Sequence, residues 1–235
     1  MVNNAPSVYK SPSVYKSADG GGGGGGDIPE NIEIYLKLKE TVNALFNQND
    51  LNQFHIKDTD KVNLVMELNL NQANVGVYAP ILNLDTYPLT GVTNAKSLIC
   101  VSFAGTNNRF IFNKNGYANM FFNDTDDSFK LLSCKMLENY MEVKFNGETK
   151  TASRSSHIND DLVITQIWPN TAGGFASNAL FYLYNLEIKS SDGNIKYDFC
   201  PALNTDTNKI GLFEKITGTF VPGNNNSNFE LIGEL

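Results

Sequence analysis

Carboxylates and histidines are the residues of this sequence that could do acid–base chemistry. Enzymes that cleave glycosidic bonds use a pair of Asp or Glu side chains, which a strand supplies when acidic residues stand at every second position. No such run is present, because Glu67 stands alone in VMELNL, and Glu138 and Glu142 are spaced as in a turn. Neither His55 nor His157 lies in a triad or metal-binding motif. The sequence therefore predicts a protein that is not an enzyme and carries no cofactor.

Aromatic residues in polar segments offer a different chemistry, contact with sugars. Trp168 lies in IWPNTAGGFASN, where its ring could stack on a sugar and Asn170 could bind the hydroxyls. The segment YAPILNLDTYPLTGVTN, residues 78–94, is interpreted as a long loop that places Tyr78 and Tyr87 at a binding edge. These four residues are the candidate glycan contacts. The alternative is that Trp168 ends a strand and caps the core.

Oxygen-rich and sulfur-containing residues raise the question of a metal site. Asp124 and Asp126 lie in NDTDDS, which offers the oxygen ligands that Ca²⁺ takes. The segment lacks the Gly and the terminal Glu of an EF-hand loop, so an ordinary hairpin turn is the favoured interpretation and no metal is predicted. Cys100, Cys134 and Cys200 show no CxxC spacing and predict reduced, mostly buried thiols.

Net charge restricts the class of partner. The formal charge of −7 argues against a nucleic-acid groove and against an anionic membrane surface. No apolar run approaches 18 residues, and the N-terminus shows no secretory signal. We therefore expect neither nucleic acid nor membrane as a partner.

Residues 51–235 have the patterns of an all-β domain. KVNLVMELNL alternates apolar and polar residues, and Asn146-Gly147 between two apolar runs predicts a type I′ hairpin. A second hairpin is predicted around residues 113–116 and a turn at residues 191–194. About ten to twelve short strands without crossover helices predict an antiparallel two-sheet jelly-roll sandwich.

Residues 28–50 predict one short amphipathic α-helix between the N-terminal tail and the body. Tyr35, Leu38, Val42 and Leu45 recur at spacings of 3, 4 and 3, which is the apolar stripe of one helical face. Such a helix either docks on the body or associates with copies of itself. In the second case, a trimer is the favoured oligomer.

Residues 1–27 contain a duplicated peptide followed by seven glycines. APSVYK is followed directly by SPSVYK, and the glycines predict a flexible tether of roughly 15 Å. Strand addition or insertion into apolar pockets of a partner would use such a peptide, and two copies would raise its avidity. The predicted docking residues are Pro6, Ser7, Val8, Tyr9, Lys10, Pro12, Ser13, Val14, Tyr15 and Lys16.

Two stretches resemble known families. Residues 198–202 (DFCPA), 211–214 (GLFE) and 217–220 (TGTF) are similar to the closing region of concanavalin A-like, LamG-type jelly rolls of phage and prophage structural proteins. The tandem PSVYK peptides before poly-Gly resemble the N-termini of phage head-fibre proteins. The resemblance implies a fold that hosts lectins, glycanases and inert spacers alike.

The resemblance implies a non-enzymatic decoration protein of a phage particle. Its N-terminus would dock on the major capsid protein or another virion structural protein, as a homo-oligomer assembled in the host cytoplasm. The body would then make weak contact with a host surface glycan. The alternative is a soluble carbohydrate-binding or glycan-processing jelly-roll protein with a disordered tail.

Overall fold

The computed structural model describes most of the body and two short N-terminal segments. The described residues are 9–10, 35–38, 46–57, 59–69, 78–86, 96–104, 107–113, 117–123, 130–137, 140–153, 161–167 and 180–232. Within these ranges, no helix has the length and apolar character needed to cross a membrane.

Seventeen strands and one short helix make up the described structure. The helix α1 spans Gln48–Leu51, and Asn226–Asn228 forms a 3-10 turn. The strands are β1 Tyr9–Lys10, β2 Tyr35–Leu38, β3 His55–Lys57, β4 Lys61–Asn69, β5 Tyr78–Thr86, β6 Lys96–Ala104, β7 Asn107–Asn113, β8 Tyr117–Asn123, β9 Lys130–Met136, β10 Tyr140–Phe145, β11 Glu148–Ser153, β12 Asp161–Ile167, β13 Leu180–Lys189, β14 Ile195–Asn204, β15 Lys209–Glu214, β16 Thr219–Pro222 and β17 Phe229–Ile232.

Two antiparallel sheets form a jelly-roll sandwich, as the sequence predicts. The larger sheet runs β11-β10-β9-β4-β13-β14-β15-β16, with β1, β2 and β17 attached beside this path. The smaller sheet runs β3-β12-β5-β6-β7-β8. The core lies between them, where Phe122 of β8 meets Phe145 of β10 with ring centroids 5.7 Å apart.

The predicted strand patterns of the body are confirmed at several places. Val62, Leu64 and Met66 on alternate positions of β4 are buried in the core. Asn146 and Gly147 have φ values of 49° and 80°, the left-handed conformation that a type I′ turn requires. Strands β7 and β8 pair in antiparallel register, as predicted for the hairpin around residues 113–116.

The helix predicted over residues 28–50 is wrong at Tyr35–Leu38, which form strand β2. Leu36 of this strand pairs with Leu183 of β13 on one side and Leu231 of β17 on the other. The segment IEIYLKL also alternates apolar and polar residues, which is the pattern of a strand. Strands β13 and β17 supply the backbone hydrogen bonds on its two sides. Tyr35 and Leu38 therefore lie in the sheet, while Val42 and Leu45 lie outside the described residues.

The loop predicted over residues 78–94 begins as strand β5, so the loop interpretation of Tyr78 is corrected. Leu82 and Leu84 alternate with Asn83 and are buried. Pro80 lacks a backbone N–H, and the strand tolerates it because β12 pairs with β5 only from Leu82 onward.

The first Tyr-Lys pair of the duplicated peptide belongs to the larger sheet. Strand β1 pairs with β14, with Tyr9 opposite Asn204 and Lys10 opposite Leu203. Pro6, Ser7, Val8 and the second copy, residues 11–16, lie outside the described residues. Docking of the peptide on a separate protein stays a prediction.

Candidate functional site

A row of polar side chains crosses the face of the larger sheet that points away from the core. The polar row consists of Glu142, Lys135, Asn63, Glu187 and Asp198, one from each of β10, β9, β4, β13 and β14. Neighbouring members are directly opposite each other, so all five side chains share one face. Adjacent strands lie about 4.8 Å apart, so the row offers hydrogen-bonding groups at a regular repeat.

This face is polar because apolar and polar residues alternate along each strand of this part of the sheet. On β10, Met141, Val143 and Phe145 enter the core, and Glu142 lies between two of them. On β9, Cys134 enters the core beside Lys135. The apolar period that builds the sandwich therefore also sets the positions of the charged groups.

Lysines balance the three carboxylates of the polar row. Lys135 Nζ lies 3.9 Å from a carboxylate oxygen of Glu142. Lys189 Nζ lies 2.9 Å from Glu187, and Lys215 Nζ lies 2.9 Å from Asp198. These pairs are partly exposed, so water screens them and each stabilises the fold by at most about 1 kcal/mol.

A shallow groove of about 170 Å³ lies over the middle of the polar row, at Lys135, Asn63 and Glu187. Lys61, Lys135 and Lys189 line it together with Asn63 and Glu187. Lys61 Nζ donates to the carbonyl of Ser191 at 3.0 Å, which fixes the ammonium group at the rim. The groove thus combines three cations, one carboxylate and one amide.

Two exposed apolar side chains belong to the row of residues next to the polar row. Tyr140, which lies two residues before Glu142 on the same face of β10, is 41% exposed. Ile195, opposite Lys189 across β13 and β14, is 45% exposed. Leu137, which lines the groove, donates its backbone N–H to the Tyr140 carbonyl at 2.9 Å. An aromatic ring therefore stands in solvent beside the hydrogen-bonding groups.

Two side-chain oxygens of the polar row are buried and have no hydrogen-bond partner among the described residues. They are Asn63 Oδ1 and Asp198 Oδ1. The other carboxylate oxygen of Asp198 accepts from Lys215 at 2.9 Å. A buried acceptor without a partner costs about 1–3 kcal/mol, so these two oxygens lower the stability of the fold locally.

A second polar cluster joins the edge of the smaller sheet to β14. His55 Nδ1 lies 3.2 Å from Asp161 Oδ2, and the backbone N–H of His55 donates to the Tyr197 hydroxyl at 3.1 Å. Burial raises the pKa of Tyr197, against a lowering by that backbone hydrogen bond, while Glu214, Asp60 and Asp161 raise it further. No partner for His55 is apparent in the sequence, and the structure supplies Asp161 from β12, a strand far along the chain. These contacts tie β3 to both sheets.

Most of the side chains predicted from sequence as ligand contacts fall outside this site. Trp168, Asn170 and Tyr87, and the calcium candidates Asp124 and Asp126, lie outside the described residues. Tyr78 begins β5 in the smaller sheet, away from the polar row. Within the described part of the chain, no group of three His, Cys, Asp or Glu side chains could hold a metal ion.

The polar row was missed because its members come from five strands. Glu142 is 45 positions before Glu187 in the sequence, and only the pairing of β10, β9, β4 and β13 places them in one row. The available signal was alternation, since Asn63, Lys135 and Glu142 each lie between two apolar residues. Alternation shows on which face of its strand a residue lies, but it does not show which strands lie beside that strand.

Comparison with known proteins bears on the fold. No protein-family model and no curated protein matches the chain. Among solved structures, the alginate lyase from Alteromonas sp. 272 shares 8% identity over 59% of this chain and 75% of that chain, with a TM-score of 0.37. The polysaccharide lyase family 7 alginate lyase AlgAT5 shares 10% identity over 57% of this chain and 62% of that one, with a TM-score of 0.34.

A third similar structure is the catalytic domain of an endo-1,3-beta-glucanase (laminarinase) from Thermotoga petrophila. It shares 11% identity over 66% of this chain and 75% of that chain, with a TM-score of 0.35. The present chain spans less than two thirds of the AlgAT5 length. Likeness at this level concerns the jelly-roll fold and not the ligand of this chain.

The prediction that the chain is not an enzyme is corrected by these comparisons. All three similar structures are enzymes that act on polysaccharides. The prediction rested on the lack of an acidic run along one strand, and in the structure Glu187 and Asp198 meet across two strands instead. The missing run is therefore no ground for excluding catalysis.

Proposed function

We propose that this protein binds carbohydrate in the groove on the outer face of its larger sheet. The observation that carries the proposal is the exposed Tyr140 ring on the same face as Asn63 and Glu187. Aromatic rings pack against the apolar faces of sugar rings, and amide and carboxylate oxygens accept hydrogen bonds from sugar hydroxyls.

The shape of the groove supports a sugar ligand over a compact small molecule. Pockets for drug-sized ligands have volumes of about 300–1,000 Å³ and enclose most of the ligand. The groove has about 170 Å³ and continues along an open sheet face. One or two rings of a longer glycan would fit such a surface while the rest of the glycan stays in water.

A glycan array followed by calorimetric titration of the best ligand tests the proposal. We expect Tyr140→Ala to weaken binding about tenfold, which corresponds to about 1.4 kcal/mol. Ile216→Ala is the matched control, because Ile216 is an apolar residue that is 56% exposed in the turn after β15. Failure of every glycan to bind, or unchanged binding by Tyr140→Ala, would contradict the proposal.

A second candidate function, glycan cleavage, is favoured by Glu187 and Asp198. They are directly opposite on β13 and β14, so their Cβ atoms lie about 5 Å apart. Retaining glycosidases use two neighbouring carboxyl groups, one as acid and base and one as nucleophile.

Product analysis by mass spectrometry on any oligosaccharide that binds tests cleavage. We expect Glu187→Gln and Asp198→Asn each to abolish product formation while the ligand still binds. Glu148→Gln is the control, because Glu148 is a half-exposed glutamate on β11, paired with Lys150 at 2.9 Å. Absence of products from the native protein would exclude cleavage of that ligand and leave binding as the function.

A further inference from the structure

Two lysines stand directly opposite each other in the groove. Lys61 at the start of β4 is in register with Lys189 at the end of β13. Both residues line the groove, so their side chains lie on the same face of the larger sheet. Like charges directly opposite on neighbouring strands repel each other and destabilise a sheet. An anion bound between the two ammonium groups would remove this repulsion.

The two lysines of this pair differ in their partners. Lys189 Nζ lies 2.9 Å from a carboxylate oxygen of Glu187, which offsets its charge. Lys61 Nζ donates to the uncharged carbonyl of Ser191 at 3.0 Å. A carbonyl fixes an ammonium group in place but does not neutralise it, so Lys61 offers a positioned positive charge to a ligand.

A third lysine makes the groove locally positive. Lys135 also lines it, and its Nζ lies 3.9 Å from a carboxylate oxygen of Glu142, which is long for an ion pair. Glu187 and Glu142 thus set two negative charges against the three positive charges of the lysines. The excess of positive charge is local, because the whole chain has a formal charge of −7.

The exposed aromatic ring lies in the same row of residues as the lysine pair. Met136 of β9 stands opposite Met141 on one side and Val62 on the other. Tyr140 and Lys61 each directly precede these partners, so they lie in one row with β9 between them. Strands about 4.8 Å apart place their backbones about 10 Å apart across the sheet. A glycan that packs on Tyr140 and continues along the groove therefore reaches Lys61.

We propose, on the basis of the carbohydrate function proposed above, that the groove selects glycans that carry an anionic group, a carboxylate or a sulfate. This group binds between Lys61 and Lys189. Lysine acts as a compact point charge and does not require the planar bidentate geometry that arginine recognises, so either group is accepted. The lysine pair is then the part of the groove that determines specificity, while the ring of Tyr140 packs on the sugar.

A glycan array with neutral, uronate-containing and sulfated oligosaccharides tests the proposed selectivity. The best ligand is then titrated beside its own neutral form, made by carboxyl reduction or by desulfation. We expect the acidic form to bind at least about tenfold more tightly at about 0.05 M salt, and the difference to shrink at about 0.5 M salt because ions screen the lysines.

The outcomes of this titration separate the selectivity from the carbohydrate function itself. If the neutral form binds as tightly as the acidic form, the selectivity is overturned and carbohydrate binding stands. If no glycan on the array binds, both proposals fail.

Substitution of Lys61 tests the position of the anion. We expect Lys61→Gln to reduce the preference for the acidic form to about twofold or less, and Lys61→Glu to reverse it, because a carboxylate opposite Lys189 occupies the place of the anion. Lys209→Gln is the matched control, since Lys209 is an exposed lysine on β15 that does not line the groove. A preference that survives in Lys61→Gln, or that Lys209→Gln loses equally, would overturn the proposed site.

Discussion

Two glutamates of the larger sheet, Glu214 and Glu187, differ in how fully their oxygens are used. Glu214 is completely buried and accepts hydrogen bonds from the backbone N–H groups of Asp198, Ile216 and Thr217 and from the Thr217 hydroxyl. Glu187 is partly exposed in the groove and pairs with Lys189. A saturated, buried carboxylate supports the fold, whereas a partly exposed one remains available to a ligand.

The difference follows from where the partners lie in the chain. The donors to Glu214 come from the next three residues and from the adjacent strand β14, so the turn between β15 and β16 closes around it. This turn joins the segments GLFE and TGTF. Glu214 is therefore a structural carboxylate that holds the turn between β15 and β16.

The largest expected effect is that of removing the saturated carboxylate. Glu214→Ala leaves three backbone N–H groups and one hydroxyl without their acceptor, which we expect to cost about 3 kcal/mol or more. Urea unfolding measures this loss. Glu148→Ala should change stability by less than about 0.5 kcal/mol, because Glu148 is half exposed. A loss of stability below about 1 kcal/mol in Glu214→Ala would remove the contrast between the carboxylates of Glu214 and Glu187.

An effect of intermediate size concerns Cys134, whose neighbour Lys135 faces the groove. Burial raises the pKa of the Cys134 thiol from 9.0 to about 12. The unfolded thiol ionises above about pH 9 while the folded one keeps its proton, so stability falls as pH rises from 9 to 12. The slope from this group is up to about 1.4 kcal/mol per pH unit.

Denaturant unfolding at several alkaline pH values, compared between the native chain and Cys134→Ala, isolates this contribution. The native chain should lose stability more steeply above pH 9 than the variant. If stability fell equally with pH in the native chain and in Cys134→Ala, Cys134 would not be shielded by the core. The contrast between the buried and the exposed face of β9 would then be lost.

The smallest expected effect on stability is that of removing the partly exposed carboxylate. Glu187→Ala should lower the free energy of unfolding by no more than about 1 kcal/mol, since its ion pair with Lys189 is partly exposed. Thermal unfolding, with Glu214→Ala in parallel, measures the ratio of the two effects. A loss in Glu187→Ala equal to that in Glu214→Ala would make the groove carboxylate a structural group.

Much of the body could be predicted from local patterns. Alternation identified β4, and Asn146-Gly147 identified the turn between β10 and β11, because both signals lie within a few residues. The pattern at Tyr35–Leu38 was ambiguous, since its apolar residues fit both a helical stripe and a strand. The segment forms a strand and not a helix because β13 and β17, which come far later in the sequence, supply its hydrogen bonds.

The candidate site could be predicted only in its parts. Glu142 was considered as an acid and set aside, because its spacing from Glu138 is that of a turn and not that of a catalytic pair on one strand face. Its neighbours in the polar row are set by register across four strand pairs, which a single sequence does not specify. Tyr140 gave no signal of its own because an aromatic residue at the start of a strand is as consistent with packing as with exposure.

The insertion of β2 between β13 and β17 has a consequence for biosynthesis. Nearly the whole chain separates Leu36 from its partner Leu231, so β2 leaves the ribosome long before either neighbour exists. Such distant contacts form late and slow folding. Until then β2 presents two open edges to other nascent chains. Lys37 stands opposite Glu230 in the final register, and a lysine in a strand with open edges discourages premature association with other chains.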